Sequence, residues 1–141
     1  MLFRSPEYGV LPELGVVDTL KGADKKGALT AVGYGLQTIN PVFITGERDR
    51  LVATLDVLNT KGVFGVPPGT AVAVSGSGVF GDNSASSGTC FGDSGGPQFL
   101  TGTNVVAAVT SFGINGNCAG TGGGYRVDTA DDLDWLQGFL P

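Results

Sequence analysis

The chain has 141 residues, roughly one domain's worth, of which 41% are hydrophobic and 15% charged, a composition too apolar for a disordered segment. It holds 25 glycines, more than twice the usual share of about 7%, without the Gly-X-Y period of collagen, and no apolar run approaches the roughly 18 residues of a membrane helix. Its 8 basic and 13 acidic residues leave a net charge of −5, the wrong sign for neutralising nucleic-acid phosphates, and with no histidine it cannot by itself complete any chemistry that needs an imidazole.

Residues 1–28 carry Pro6, Pro12, four acidic residues and the cluster Lys21, Lys25 and Lys26, and read as an extended connecting segment with an apolar stretch from Val10 to Val17. The N-terminal stretch has one positive charge and is interrupted by Glu7 and Glu13, so it is not a signal peptide. From Leu29 onward, short strand-like runs alternate with glycine turns, at 29–37, 50–59, 71–76, 97–100, 105–112 and 124–128. Leu51, Ala53, Leu55 and Val57 alternate with Val52, Thr54, Asp56 and Leu58, which predicts one buried face. Residues 100–105 read as a tight hairpin, and six short strands with frequent turns predict an all-β sandwich or barrel.

The C-terminal stretch changes period. Thr129 stands as an N-cap with Asp132 three residues later, as in a capping box. Asp131, Asp132 and Asp134 suit the dipole of the first turns, and Leu133, Trp135, Leu136, Phe139 and Leu140 supply an apolar face. This predicts a short terminal helix docked on the β domain. A helix start accounts for the three aspartates, so no metal site is expected there, and no cofactor is expected elsewhere. The glycine-rich runs at 75–78 and 120–124 lack the strand–helix context and the lysine of phosphate loops.

Cys90 and Cys118 stand 28 positions apart. Without histidine or a C-x-x-C spacing they read either as a disulfide, which would place the protein in an oxidising compartment, or as two buried thiols. The segment that carries chemistry is Cys90-Phe91-Gly92-Asp93-Ser94-Gly95-Gly96-Pro97. It presents a serine in a glycine-rich turn just before a strand. The N–H groups of Gly92 and Ser94 can converge on a developing oxyanion, the donor pair that acyl transfer requires. Asp93 lies next to the serine and is expected to fix the loop by an ion pair or hydrogen bonds.

Gly92-Asp93-Ser94-Gly95-Gly96-Pro97 resembles the active-serine motif of the trypsin/chymotrypsin-like serine proteases. Val109-Thr110-Ser111-Phe112-Gly113 resembles the substrate-binding strand of that family, Thr30-Ala31-Val32-Gly33-Tyr34-Gly35 the first strand of its second barrel, and the segments at 125–129 and 134–136 its closing strand and helix. The resemblance implies a six-stranded antiparallel Greek-key barrel over residues 29–141, with residues 1–28 connecting it to a first barrel outside this sequence. It implies Ser94 as nucleophile of a serine endopeptidase, oxyanion donation from Gly92 and Ser94, and a Cys90–Cys118 disulfide in a secreted protein. It places Gly88 and Thr89 at the floor of a specificity pocket, Phe91, Ser111, Phe112 and Gly113 around it, and a glycine near Gly123 on a second wall. No aspartate stands at Gly88 or Thr89, so an apolar residue is expected on the acyl side of the cleaved bond rather than a basic one.

The sequence departs from the family where the base should be: the histidine and aspartate of the family's first barrel have no counterpart here. A serine without a base stays protonated and weakly nucleophilic, so the isolated chain is expected to be nearly inert. Its partners would be a peptide or protein substrate and the missing N-terminal barrel, in cis or in trans, with no nucleic acid and no membrane. A Ser–Lys pairing with Lys61 has nothing in its spacing to support it. The alternative is a non-catalytic, protease-like module that binds peptides or proteins through its cleft.

Overall fold

The computed structural model describes residues 8–20, 26–39, 44–61, 71–75 and 88–140. Pro6, Glu7, Lys21, Lys25 and most of the glycine-rich run at 75–78 lie outside these residues. Among the described residues nine strands run in chain order: β1 (Leu29–Gly33), β2 (Thr38–Ile39), β3 (Ile44–Thr45), β4 (Leu51–Leu55), β5 (Val57–Asn59), β6 (Ala71–Ser75), β7 (Pro97–Leu100), β8 (Val106–Gly113) and β9 (Thr121–Arg126). One helix, α1 (Ala130–Gln137), follows them. The fold is all-β with a terminal helix, as the patterning predicts.

The main sheet has seven strands in the order β4-β1-β7-β8-β9-β6-β5, and every pairing is antiparallel. This differs from six strands in a closed barrel. The run at 50–59 divides at Asp56 into β4, which pairs with β1, and β5, which pairs with β6. The hydrogen-bonded ladder is therefore open, and its two ends are consecutive stretches of chain. Asp56 bends the run by turning its side chain back: Oδ1 accepts from the Gly27 N–H at 2.6 Å. A second departure is that β1 ends at Gly33, short of the expected run to Gln37, and is followed by a two-stranded pairing β2–β3 that was not expected.

The interior is built from Leu29 and Ala31 of β1, Leu55 of β4, Val57 of β5, Val74 of β6, and Ala107 and Ala108 of β8. The expected alternation holds from Ala53 to Val57 and fails at the start of β4, where Leu51 and Val52 are both exposed. The hairpin at 100–105 closes by Leu100 N–H to Val105 carbonyl at 2.9 Å.

The N-terminal segment does more than extend. Val10 bridges in parallel to Val105, and a 3-10 turn at Val16–Thr19 inserts Val17 and Leu20 into the core. An ion network, buried at Arg126 and Asp128 and half-exposed at Asp18, fixes it. The Asp128 carboxylate accepts from the Val17 N–H at 2.8 Å and binds Arg126 through Nε at 2.7 Å, while Arg126 also reaches Asp18 at 2.9 Å. The hydrogen bond to Asp128, and after it the one to Asp18, holds the Arg126 guanidinium above its ordinary ionisation range although burial acts the other way.

The helix is capped as expected: the Asp132 N–H donates to Thr129 Oγ1. Its docking is not as expected, because none of its residues is buried. Trp135 and Phe139 stand exposed, with ring centroids 4.7 Å apart. The two rings cover each other instead of the sheet.

Candidate active site

Two successive turns build the serine loop. The Asp93 N–H closes the first on the Cys90 carbonyl at 3.1 Å, and the Gly96 N–H closes the second on the Asp93 carbonyl at 2.9 Å. The third position of each turn has positive φ, +102° at Gly92 and +84° at Gly95, where a side chain would be strained. Two tandem turns of this kind are the physical reason for the spacing Gly-Asp-Ser-Gly. The loop is then tied to β8, since the Gly95 N–H donates to the Thr110 carbonyl and the Thr110 N–H to the Gly96 carbonyl, each at 2.9 Å.

Ser94 stands exposed on the outer turn. Among the described residues its hydroxyl has no hydrogen-bond partner, and neither the Gly92 N–H nor the Ser94 N–H donates to a backbone carbonyl. A hydroxyl flanked by two uncommitted amides has the components of an acylation centre. No carboxylate or imidazole hydrogen-bonds that hydroxyl among the described residues.

The Asp93 side chain turns away from the serine. Oδ1 accepts from the Gly35 N–H and Oδ2 from the Cys90 N–H, each at 2.8 Å. Its seat is made of missing side chains: a Cβ at Gly33 or Gly35 would run into the carboxylate. The signal for this seat was present in Gly33-Tyr34-Gly35, but only the fold brings Gly35, 58 positions back, and Gly33 beside it against Asp93.

Cys90 and Cys118 form a disulfide, with Cα atoms 5.2 Å apart, that joins the serine loop to the 115–120 turn. Beside it lies a cavity of about 250 Å³ lined by Thr89, Phe91, Ser94, Ser111, Phe112 and Gly113, among others. Among the described residues the lining carries no charged side chain. Gly88 is half-buried and does not line it. Gly122, next to the expected Gly123, lines it. Gly123 is instead covered by the Phe112 ring, which occupies the space a side chain there would need.

Ser94 also borders a wider cavity of about 620 Å³, formed by Val32, Gly33 and Tyr34, by Arg50 and Val52, and by Gly92, Asp93, Gly96, Pro97 and Phe99. Among the described residues no group of three His, Cys, Asp or Glu is placed to hold a metal ion, and no helix is long and apolar enough to cross a membrane.

An antiparallel β fold carrying a serine on tandem glycine turns, beside an uncharged cavity, defines the class of trypsin-like proteins. A family model for Trypsin matches residues 30–136, and the chain belongs to that family. No curated protein sequence matches the chain significantly. Among solved structures it resembles the scabies mite inactivated protease paralogue S-I1, with a TM-score of 0.57 at 16% sequence identity. The similarity covers 93% of this chain and 51% of that one, so the chain spans about half the length of that structure.

Proposed function

We propose that this chain carries the nucleophile half of a serine endopeptidase, with Ser94 as the attacking residue and its base on polypeptide outside this sequence. Ser94 Oγ would add to a peptide carbonyl carbon as the base takes the hydroxyl proton. The carbonyl oxygen would become an oxyanion facing the Gly92 and Ser94 amides. Collapse breaks the C–N bond, the amine leaves with the proton, and water then hydrolyses the acyl ester. The cavity of about 250 Å³ would receive the acyl-side residue, and its uncharged lining supports an uncharged side chain there. The disulfide fits a protein of an oxidising, extracellular compartment.

The observation that carries this reading is the pairing of an exposed, unengaged Ser94 hydroxyl with two unengaged amides on tandem glycine turns. Removing triad members from a complete protease leaves only about 10³–10⁴-fold catalysis over water, so the isolated chain should hydrolyse peptides barely at all. Labelling with a fluorophosphonate tests the reading. Slow modification of Ser94 is expected, accelerated by added imidazole in proportion to its neutral fraction and abolished in Ser94→Ala. Labelling at other residues, or none even with imidazole, would refute the acylation centre. Fast labelling without imidazole would refute the external base.

A further inference from the structure

We propose that Gln98, fully buried in β7, is a positioning residue for Ser94: its amide grips Thr110, the residue of β8 from which the serine loop hangs. The proposal deepens the acyl-transfer reading and rests on it for what the loop does. Thr110 holds the end of the loop's second turn, taking the Gly95 N–H on its carbonyl and giving its own N–H to the Gly96 carbonyl, each at 2.9 Å. Its hydroxyl is a third grip, accepting from Gln98 Nε2 at 3.3 Å.

The strand ladder leaves that third grip a task. Against β7, Gln98 pairs with Ala108 and Phe99 with Val106, so Ala107 is an extra residue of β8. Against β9, Gly124 pairs with Thr110 and Gly123 with Phe112, so Ser111 is another. Thr110 therefore stands between two irregularities, places where a strand bends and re-aims its residues. Gln98 has a seat built for it. Its partners across the two ladders are the small Ala31 and Ala108, and a Cβ at Gly124 would stand 2.6 Å from Oε1. Stability does not account for the residue. Gln98 is 0% exposed and its Oε1 has no hydrogen-bond partner among the described residues. A buried acceptor left unpaired is destabilising, whereas an apolar side chain of the same shape is close to neutral. What the amide supplies is one fixed orientation of Thr110, and through it of the turn that carries Ser94.

The test is Gln98→Met in the full chain, which keeps the length of the side chain and removes both polar ends. The urea midpoint is expected unchanged or raised, because the unpaired oxygen goes with the bond and the Thr110 hydroxyl, in the lining of the smaller cavity, can meet water. Hydrogen exchange followed by NMR is expected to quicken about two- to tenfold at the Gly95 and Thr110 amides, the range of one neutral hydrogen bond, and to stay unchanged at the Leu100 amide of the 100–105 hairpin. Imidazole-dependent labelling of Ser94 is expected to slow by about the same two- to tenfold factor. A lowered midpoint, exchange unchanged at Gly95 and Thr110 or quickened equally at Leu100, or labelling as fast as in the wild type would overturn the proposal. If wild-type Ser94 itself resists fluorophosphonate, the acyl-transfer reading falls, and the midpoint and the exchange rates alone decide whether Gln98 holds the loop.

Discussion

Replacing Asp93 by asparagine keeps the size of the side chain and removes one of its two acceptors. In the native loop both carboxylate oxygens take a backbone N–H at 2.8 Å, from Gly35 and from Cys90. Hydrogen bonds to a charged group contribute about 1.5–3 kcal/mol each, and a donor left unpaired keeps its desolvation cost. Asparagine satisfies one amide and points its own NH2 at the other, so a loss of about 2–4 kcal/mol is expected. Asp93→Ala should lose more, because both amides are then orphaned. Gly35→Ala should act in the same direction by driving a methyl group into the carboxylate. Urea unfolding gives the answer as a fall in the midpoint at unchanged slope. The imidazole-dependent labelling of Ser94 should fall with it, since the two turns share Asp93 as their common residue. An asparagine variant with a wild-type midpoint would refute the idea that these two amides hold the serine loop in place.

Three further outcomes are expected. Asp128→Ala leaves the Arg126 guanidinium buried without its main partner and frees the Val17 N–H, which should cost about 3–5 kcal/mol in urea unfolding; a loss below 1 kcal/mol would show that the network does not anchor the N-terminal segment. Replacing Cys90 and Cys118 together by serine opens a loop spanning a separation of 28 residues and should cost about 3–4 kcal/mol by the chain-entropy relation, read as a lower melting temperature that added reductant no longer changes. The Tyr125 phenol is raised above its ordinary value of about 10, chiefly by burial and then by Asp132, so the fold favours its protonated form. That contribution is complete below the ordinary value and is lost as pH rises through the raised one; tyrosinate absorbance should show a component above pH 10 that disappears in Tyr125→Phe.

What could be read from the sequence was local. The tandem glycines around Ser94, the Thr129 cap and the hairpin at 100–105 each depend on a few adjacent residues, and the structure contains all three features. Resemblance rather than spacing supplied the Cys90–Cys118 pairing. What escaped depends on distant partners. The split at Asp56 follows from the Gly27 amide it binds, the insertion of Val17 from a carboxylate 111 positions away, and the seat of Asp93 from Gly33 at the end of β1 and Gly35 just after it. The helix shows the opposite failure. Its apolar spacing is real, but an apolar stripe states only that something should cover it, and in this chain Trp135 and Phe139 remain exposed.

The single residue between β4 and β5 has a consequence for how the protein would fail. An edge strand with unpaired backbone groups is a template for another chain, and many sheets protect two such edges separately. Here both margins of the seven-stranded ladder belong to one stretch of backbone kinked at Asp56. Straightening that kink would release both margins together, so damage at this one position should register as fibrous or amorphous self-association sooner than as a lowered unfolding midpoint.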